Sequence, residues 1–320
     1  MPSVWVLHNS LAGQPAYAQQ VEQAAEALVR RGASVRVERR GSVAELRQVA
    51  RDAVAAGADA VLAAGGDGTA GAIAGELAGS STALGTLPAG TANVWAKTLG
   101  LPRPGPLRPR ALEQAALMLL DSPPQLTDLG RCNEEWFLVW AGMGLDAFVT
   151  QEFEHQRQVS RRMGGFFFNF ALTFLVARSW HGLDLRLRVS GPAGQREISG
   201  HYLMATVCNI GYHGGGLFKF ADDFRLDDGL MDVWAFEGSN YAEALGMAAS
   251  VLRGLHLQHP SIHRLTGDRL EFEAGVPQAI QTDAEPQPPS PRLSVQVVPR
   301  SLRVLVPRAM APRLYLDPRS

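Results

Sequence analysis

Four short apolar runs separated by amphipathic stretches fill the first hundred residues, and this alternation constrains the fold more than any other feature of the chain. SVWVLH (3–8), SVRVER (34–39), ADAVLAA (58–64) and TALGTLP (82–88) have the length and content of strands. Between and after them, 15–31, 43–56, 70–78 and 92–98 carry helical spacing; Tyr17, Val21, Ala24, Ala25, Leu28 and Val29 share one face of the first. Strand and helix in strict alternation is what a parallel sheet covered by helices requires. The expectation is therefore an α/β domain.

The texture changes after LPRPGPLRPR (101–110), an amphipathic segment at 111–121 and a break at Pro123 and Pro124. EWFLVWAG, LDLRLRVSG, ISGHYLMATVCNIG, LMDVWAFE, DRLEFEAG and LSVQVVP are short β-rich runs punctuated by Gly, Asp and Pro. At 320 residues the chain is about two domains long, at roughly 150 residues each. We expect the α/β domain over 1–125, a β-dominated domain over 126–300, and a segment 301–320 that either adds a strand there or returns to the first domain. The apolar run FFFNFALTFLVA (166–177) falls short of the ~20 residues a membrane helix needs. It reads as a buried helix or as a wall for an acyl chain.

Charge and cysteine content narrow the function. Thirty basic residues against 31 acidic ones leave a net charge of −1, so no general polycation is available for nucleic acid or an anionic surface. Two cysteines, Cys132 and Cys208, make no disulfide framework and have no zinc spacing, and the start MPSVWVLHNS lacks the pattern of a secretory signal. A cytoplasmic protein is expected. Lys97 and Lys219 are the only lysines and neither follows a GxxxxG run, which excludes a Walker A loop.

Chemistry gathers where strand meets helix. ADAVLAA runs straight into Gly65, Gly66, Asp67, Gly68 and Thr69. Glycines let a backbone approach a phosphate, and the next helix offers free N–H groups with a partly positive end. An ordinary βα turn is the alternative, but average composition yields this pentapeptide in a chain of this length only on the order of once in a thousand. A carboxylate at Asp67 would repel a phosphate unless a divalent cation lay between them, so magnesium is implied. A second loop of the same design runs from Gly85 through Gly90, Thr91 and Asn93, and both loops fall at the sheet end where ligands bind.

Together these segments resemble the diacylglycerol kinase catalytic family, which includes bacterial lipid kinases and the sphingosine and ceramide kinases, and the likeness runs almost the whole length. Asn9 and Gly13 match its first phosphate loop, Gly65 to Thr69 its GGDGT, Gly90 to Asn93 its GTAN; Gly142, Gly144 and Asp146 match its GxGxDA, and Asp228, Gly229, Leu230 and Asp232 its DGxxD. The resemblance implies an N-terminal Rossmann-like parallel-sheet domain that binds ATP, a C-terminal β-sandwich domain for the lipid, and an active site in the cleft between them. It also implies magnesium held by Asp228 and by carbonyls near Arg225 and Leu230, with waters leading to Asp67 and Asp146.

The family's Asp-Gly-Glu reads Asp283, Ala284, Glu285 here, so both carboxylates survive while the glycine is lost. Asp283 or Glu285 would be the base that takes the proton of the acceptor hydroxyl. If positive φ is required at 284, alanine is costly. Ser10 in place of the usual proline, and Arg40 near a position where threonine often helps hold nucleotide, are further departures. His155, His181, His201, His213, His256, His259 and His263 show no metal-binding spacing, and Gly214 to Gly216 read as structural.

The leading expectation is an ATP- and magnesium-dependent kinase acting on a lipid alcohol at the membrane surface, in transient peripheral contact with it. A soluble enzyme of the NAD-kinase or phosphofructokinase kind stays open, as does a nucleotide- or lipid-binding protein without catalysis, for which Ala284 is the motive. Which lipid is the acceptor, and whether the chain forms a homodimer, are left open.

Overall fold

The computed structural model describes residues 1–11, 17–105, 107–152 and 178–318. The chain divides into two compact units: Met1–Leu129 with Arg225–Gly229 and Val298–Ser320, and Gly130–Phe224 with Leu230–Val297. The change of texture had put the divisions at 125 and 300. What the linear reading lacked is the short excursion 225–229, which belongs to the first unit.

The first unit is built on β1 (Ser3–Asn9), α1 (Tyr17–Arg30), β2 (Ser34–Arg40), α2 (Val43–Ala55), β3 (Ala60–Gly65), α3 (Asp67–Leu77), β4 (Ala83–Pro88), α4 (Val94–Thr98), α5 (Ala111–Leu120) and the start of β5 (Pro124–Cys132). Its sheet runs β2-β1-β3-β4, all parallel. β3 and β4 are buried at every residue, as expected of strands covered on both faces. α1 packs with α5, and α2 with α3. Ser42 caps α2 through its hydroxyl, which accepts the Glu45 N–H at 3.2 Å. The C-terminal segment returns here: Val304 pairs in parallel with Leu84, and Leu302, Val304, Val306, Leu314 and Tyr315 are buried.

Because β2 and β3 flank β1 on opposite sides, the direction of winding reverses between β1 and β3. Open parallel sheets bind ligands at such a reversal, outside the carboxyl ends of the strands. Here those ends are Asn9 and Gly65.

The second unit takes β6 (Glu135–Phe137), β7 (Trp140–Gly144), β8 (Leu183–Gly191), β9 (Gly194–Cys208), the short pair β10 (Tyr212–His213) and β11 (Phe218–Lys219), β12 (Met231–Glu237), β13 (Ile262–Gly267), β14 (Arg269–Thr282) and most of β15 (Glu285–Leu305). Its strands pair antiparallel. β9 pairs with β8 along its first half, and with β12 and β7 along its second. Alternation decides which face is covered: Leu183, Leu185, Leu187 and Val189 of β8 point inward to join Phe137, Met143, Val207, Phe272 and Val295 in one apolar cluster, while Asp184 and Arg186 face out. Cys132 and Cys208 are unpaired, buried thiols; burial pushes Cys132 up to about 12, so neither is a poised nucleophile. The apolar run 166–177 and Gly13 lie outside the described residues.

Candidate active site

On the first unit, β3 ends in Gly65 and α3 begins at Asp67, with Gly66 in extended conformation as its N-cap. Gly68 and Thr69 therefore belong to the first helical turn, and the helix starts three residues earlier than its spacing predicts. The loop after β4 folds back onto this turn: the N–H groups of Ala89 and Gly90 donate to the Gly65 carbonyl at 3.1 and 3.0 Å. A Cβ at Gly90 would collide with the backbone of Gly66, so only glycine allows the two loops to touch main chain to main chain.

Asn93 holds the second loop from within. It sits at φ 52°, accepts the Gly90 N–H at 3.0 Å and donates to the Gly90 carbonyl at 2.7 Å. Asn9 closes the other side, donating to the Thr69 hydroxyl at 3.0 Å and accepting from the Leu11 N–H. Ser10 donates its main-chain N–H to the Arg40 carbonyl at 2.9 Å, a bond that proline could not make. Arg40 itself is paired with Glu38 at 2.6 Å.

Asp67 is turned inward. Its two oxygens accept the N–H groups of Val94 and Trp95 at 3.0 and 2.8 Å, at the start of α4. Burial raises its carboxyl above the ordinary range, and those N–H bonds oppose the rise. Asp67 thus ties the two phosphate-loop candidates together through the helices that follow them. Beside the second loop lies a cavity of about 300 Å³, lined by Tyr17, Gly90 to Asn93, Pro104 and two guanidinium side chains, Arg103 and Arg108. The proline-rich stretch that interrupts the sequence pattern supplies both arginines.

The turn 225–229, also in the first unit, is pinned by Asp128. That carboxylate accepts from Gly229 and Arg300, each at 2.6 Å. Burial pushes it up to about 6; the two N–H bonds oppose this and the charges of Asp228 and Asp227 add to it. Asp227 accepts from Leu316 at 2.8 Å. Asp228 is exposed on the turn, and Gly229 has φ 75°.

In the second unit, β14 and β15 are joined at Asp283 and Ala284, with φ 49° and 63°. Asp283 is buried, and its carboxylate accepts the N–H groups of Leu138, Val139 and Trp140 at 2.8, 2.7 and 3.2 Å. Glu285 is half-buried at the start of β15. Asp146 stands close by: Gln281 donates to it at 3.1 Å, and His213 Nε2 lies 3.6 Å from the same oxygen. Gly142 leaves room for this carboxylate, since a Cβ there would stand 2.9 Å from Asp146 Oδ2. Gly144, at φ 105°, turns the chain from β7 into the helix that begins at 145.

Residues 3–132 match the diacylglycerol kinase catalytic domain, and residues 140–306 match the YegS C-terminal NAD kinase beta sandwich-like domain. The chain belongs to the diacylglycerol kinase family. Among its relatives, a diacylglycerol kinase of Mycobacterium tuberculosis is 29% identical over 312 residues, covering 95% of each chain. A probable lipid kinase YegS-like protein of Pseudomonas aeruginosa is 32% identical over 317 residues, covering 98% of this chain and 97% of the relative. The solved structure of a putative diacylglycerol kinase from Bacillus anthracis str. Sterne superposes with a TM-score of 0.75 at 16% identity, over 97% of this chain and 98% of that one, and so shares the fold.

As a member of the diacylglycerol kinase family, the chain is a phosphotransferase of the kinase type. The structure brings Asn9, Gly65, Gly66, Asp67, Gly68, Thr69, Gly90 and Asn93 together in one unit, with Thr91 exposed at the cavity. Asp283 and Asp146 come together in the other, linked by Gln281. Asp228 and Arg225 belong to the first unit, Leu230 and Asp146 to the second. Sequence reasoning missed Asp128, Gln281, Arg103 and Arg108, and set His213 aside. Only His213 had a signal, its place directly before Gly214 to Gly216.

Proposed function

We propose that the chain transfers the γ-phosphoryl group of ATP, with magnesium, to a hydroxyl of a lipid alcohol such as diacylglycerol. The observation that carries this reading is the cavity beside the second glycine loop, with Arg103 and Arg108 in its lining. Two guanidiniums lining a cavity beside a glycine loop are a chemistry that recognises a polyphosphate. A lipid acceptor is supported by the names of the relatives, both full-length lipid-kinase matches.

Magnesium suits the donors of the 225–230 turn. The Asp228 carboxylate and main-chain carbonyls are hard oxygen ligands, and magnesium keeps several waters of its own. Bound there, the ion would offset negative charge during transfer.

The chain's own residues do the rest. The glycine loops and the arginines hold and orient the phosphates. Asp283 or Glu285 accepts the proton of the acceptor hydroxyl as its oxygen bonds to the γ-phosphorus and ADP leaves. The test is transfer of labelled γ-phosphate from ATP and magnesium into micelle-dispersed lipid alcohols, with NAD as a soluble acceptor. A labelled lipid that disappears in the Asp283→Ala, Glu285→Ala double variant supports the assignment. Label in NAD alone would replace it with the NAD-kinase-like reading, and ATP binding without transfer would leave a non-catalytic binding protein.

A further inference from the structure

Two residues in succession adopt the left-handed conformation at the catalytic turn, and neither is glycine. A two-residue hairpin turn with both φ values positive strongly favours Asn-Gly or Asp-Gly. Ala284 at φ 63° carries the Cβ strain of the left-handed region with no side-chain hydrogen bond of its own to offset it. Something else must hold it there.

The Gln281 side chain makes the relevant bonds. Its Oε1 accepts the Ala284 N–H at 2.9 Å, and its Nε2 donates to Asp146 Oδ2 at 3.1 Å. The two partners fix the amide orientation: a carboxylate takes only a donor and an N–H only an acceptor, so the flipped side chain would lose both bonds. Gln281 is 1% exposed, and its backbone lies in the sheet opposite Gly142 and Pro286. It is a buried brace between the Asp-Ala-Glu turn and the carboxylate of the GxGxDA segment.

We infer that Gln281 is a positioning residue for phosphotransfer: it holds the Ala284 N–H so that an alanine can occupy the glycine position of the catalytic turn and keep Asp283 on its three main-chain donors. The inference rests on the phosphotransfer reading above for its kinetic part. Its structural part stands without that reading.

The experiment uses the full chain and the near-isosteric Gln281→Met, which removes both bonds while filling the same space, alone and combined with Ala284→Gly. Glycine adopts the turn unaided, so the double variant should recover what the single one loses. Expected for Gln281→Met are at least tenfold faster hydrogen exchange at the Ala284 amide and a kcat at least tenfold lower with KM for ATP within twofold. The Gln281→Met, Ala284→Gly chain should return to within about threefold of the unsubstituted kcat. A Gln281→Met chain with unchanged exchange at Ala284 overturns the brace. Faster exchange with unchanged kcat, or a lost kcat that glycine does not restore, overturns the positioning role. If the unsubstituted chain labels no lipid, the lipid-kinase reading fails, and the exchange rates alone decide whether Gln281 holds the turn.

Discussion

At Ala284 a methyl group in place of one hydrogen atom sets the strain of the turn. Alanine in the left-handed region is strained by its Cβ, whereas glycine is not, although glycine also gains freedom in the unfolded chain. Ala284→Gly should therefore raise stability by about 0.5–1 kcal/mol, read as a shift of the urea midpoint at constant slope. His8 supplies a pH prediction. It is buried at the end of β1, and burial, helped by the nearby Arg39 charge, holds its pKa below the ordinary 6.5. The fold keeps the ring neutral while the unfolded chain takes up a proton, so its contribution is present above pH 6.5 and is lost as pH falls below that value. The slope can reach ~1.4 kcal/mol per pH unit. His8→Gln should flatten this part of the stability profile, measured by thermal unfolding from pH 8 down to pH 5. Asp283 and Glu285 stand out in the sequence as candidate bases because few residue types can serve as one. Gln281 does not, since a glutamine in a strand announces nothing until the turn places an unpaired N–H beside it.

The elements show a similar division between what pattern reveals and what geometry adds. Buried strands and amphipathic helices declare themselves by period, so β1 to β4 and the helices between them fall close to their expected limits. The start of α3 was misplaced because glycines carry no helical signal, and the turn is held by Asp67 and by the Gly65 carbonyl rather than by propensity. Gly90→Ala tests that contact: the added methyl meets the main chain of Gly66, which has no rotamer to yield, and a loss of about 1–3 kcal/mol is expected in unfolding experiments. The proline-rich stretch looked like a mere interruption. Its arginines face the cavity only because the chain after α4 passes beside the second glycine loop. Replacing Arg103 and Arg108 together by alanine should weaken ATP binding at least about tenfold, measured by calorimetry, and leave the thermal transition within a degree or two.

For the whole molecule, the decisive fact is that the first unit is assembled from three stretches of chain. Leu302, Val304, Val306, Leu314 and Tyr315 are buried in it, each worth roughly 1.5–3 kcal/mol. Their sum is comparable with the ~5–15 kcal/mol that holds a typical domain folded. The same segment gives Asp128 its Arg300 N–H, Asp227 its Leu316 N–H, and Thr127 a 2.6 Å hydroxyl contact from Tyr315. A chain ending at residue 297 should consequently lose the native first unit, seen as rapid proteolysis within residues 1–129. Sequence reading had to leave this segment undecided, because SLRVLVP is equally good as a parallel or an antiparallel strand and only its partner β4 distinguishes them.

This arrangement also sets a clock during biosynthesis. Most multidomain chains fold their amino-terminal part while the remainder is still being translated, at about 5–20 residues per second. Here the first unit must wait with its sheet edge open, from the emergence of β4 until residues 298–315 have cleared the ribosome. At those rates the delay is on the order of ten seconds or more, a period in which an apolar strand edge is exposed to chaperones and to neighbouring nascent chains.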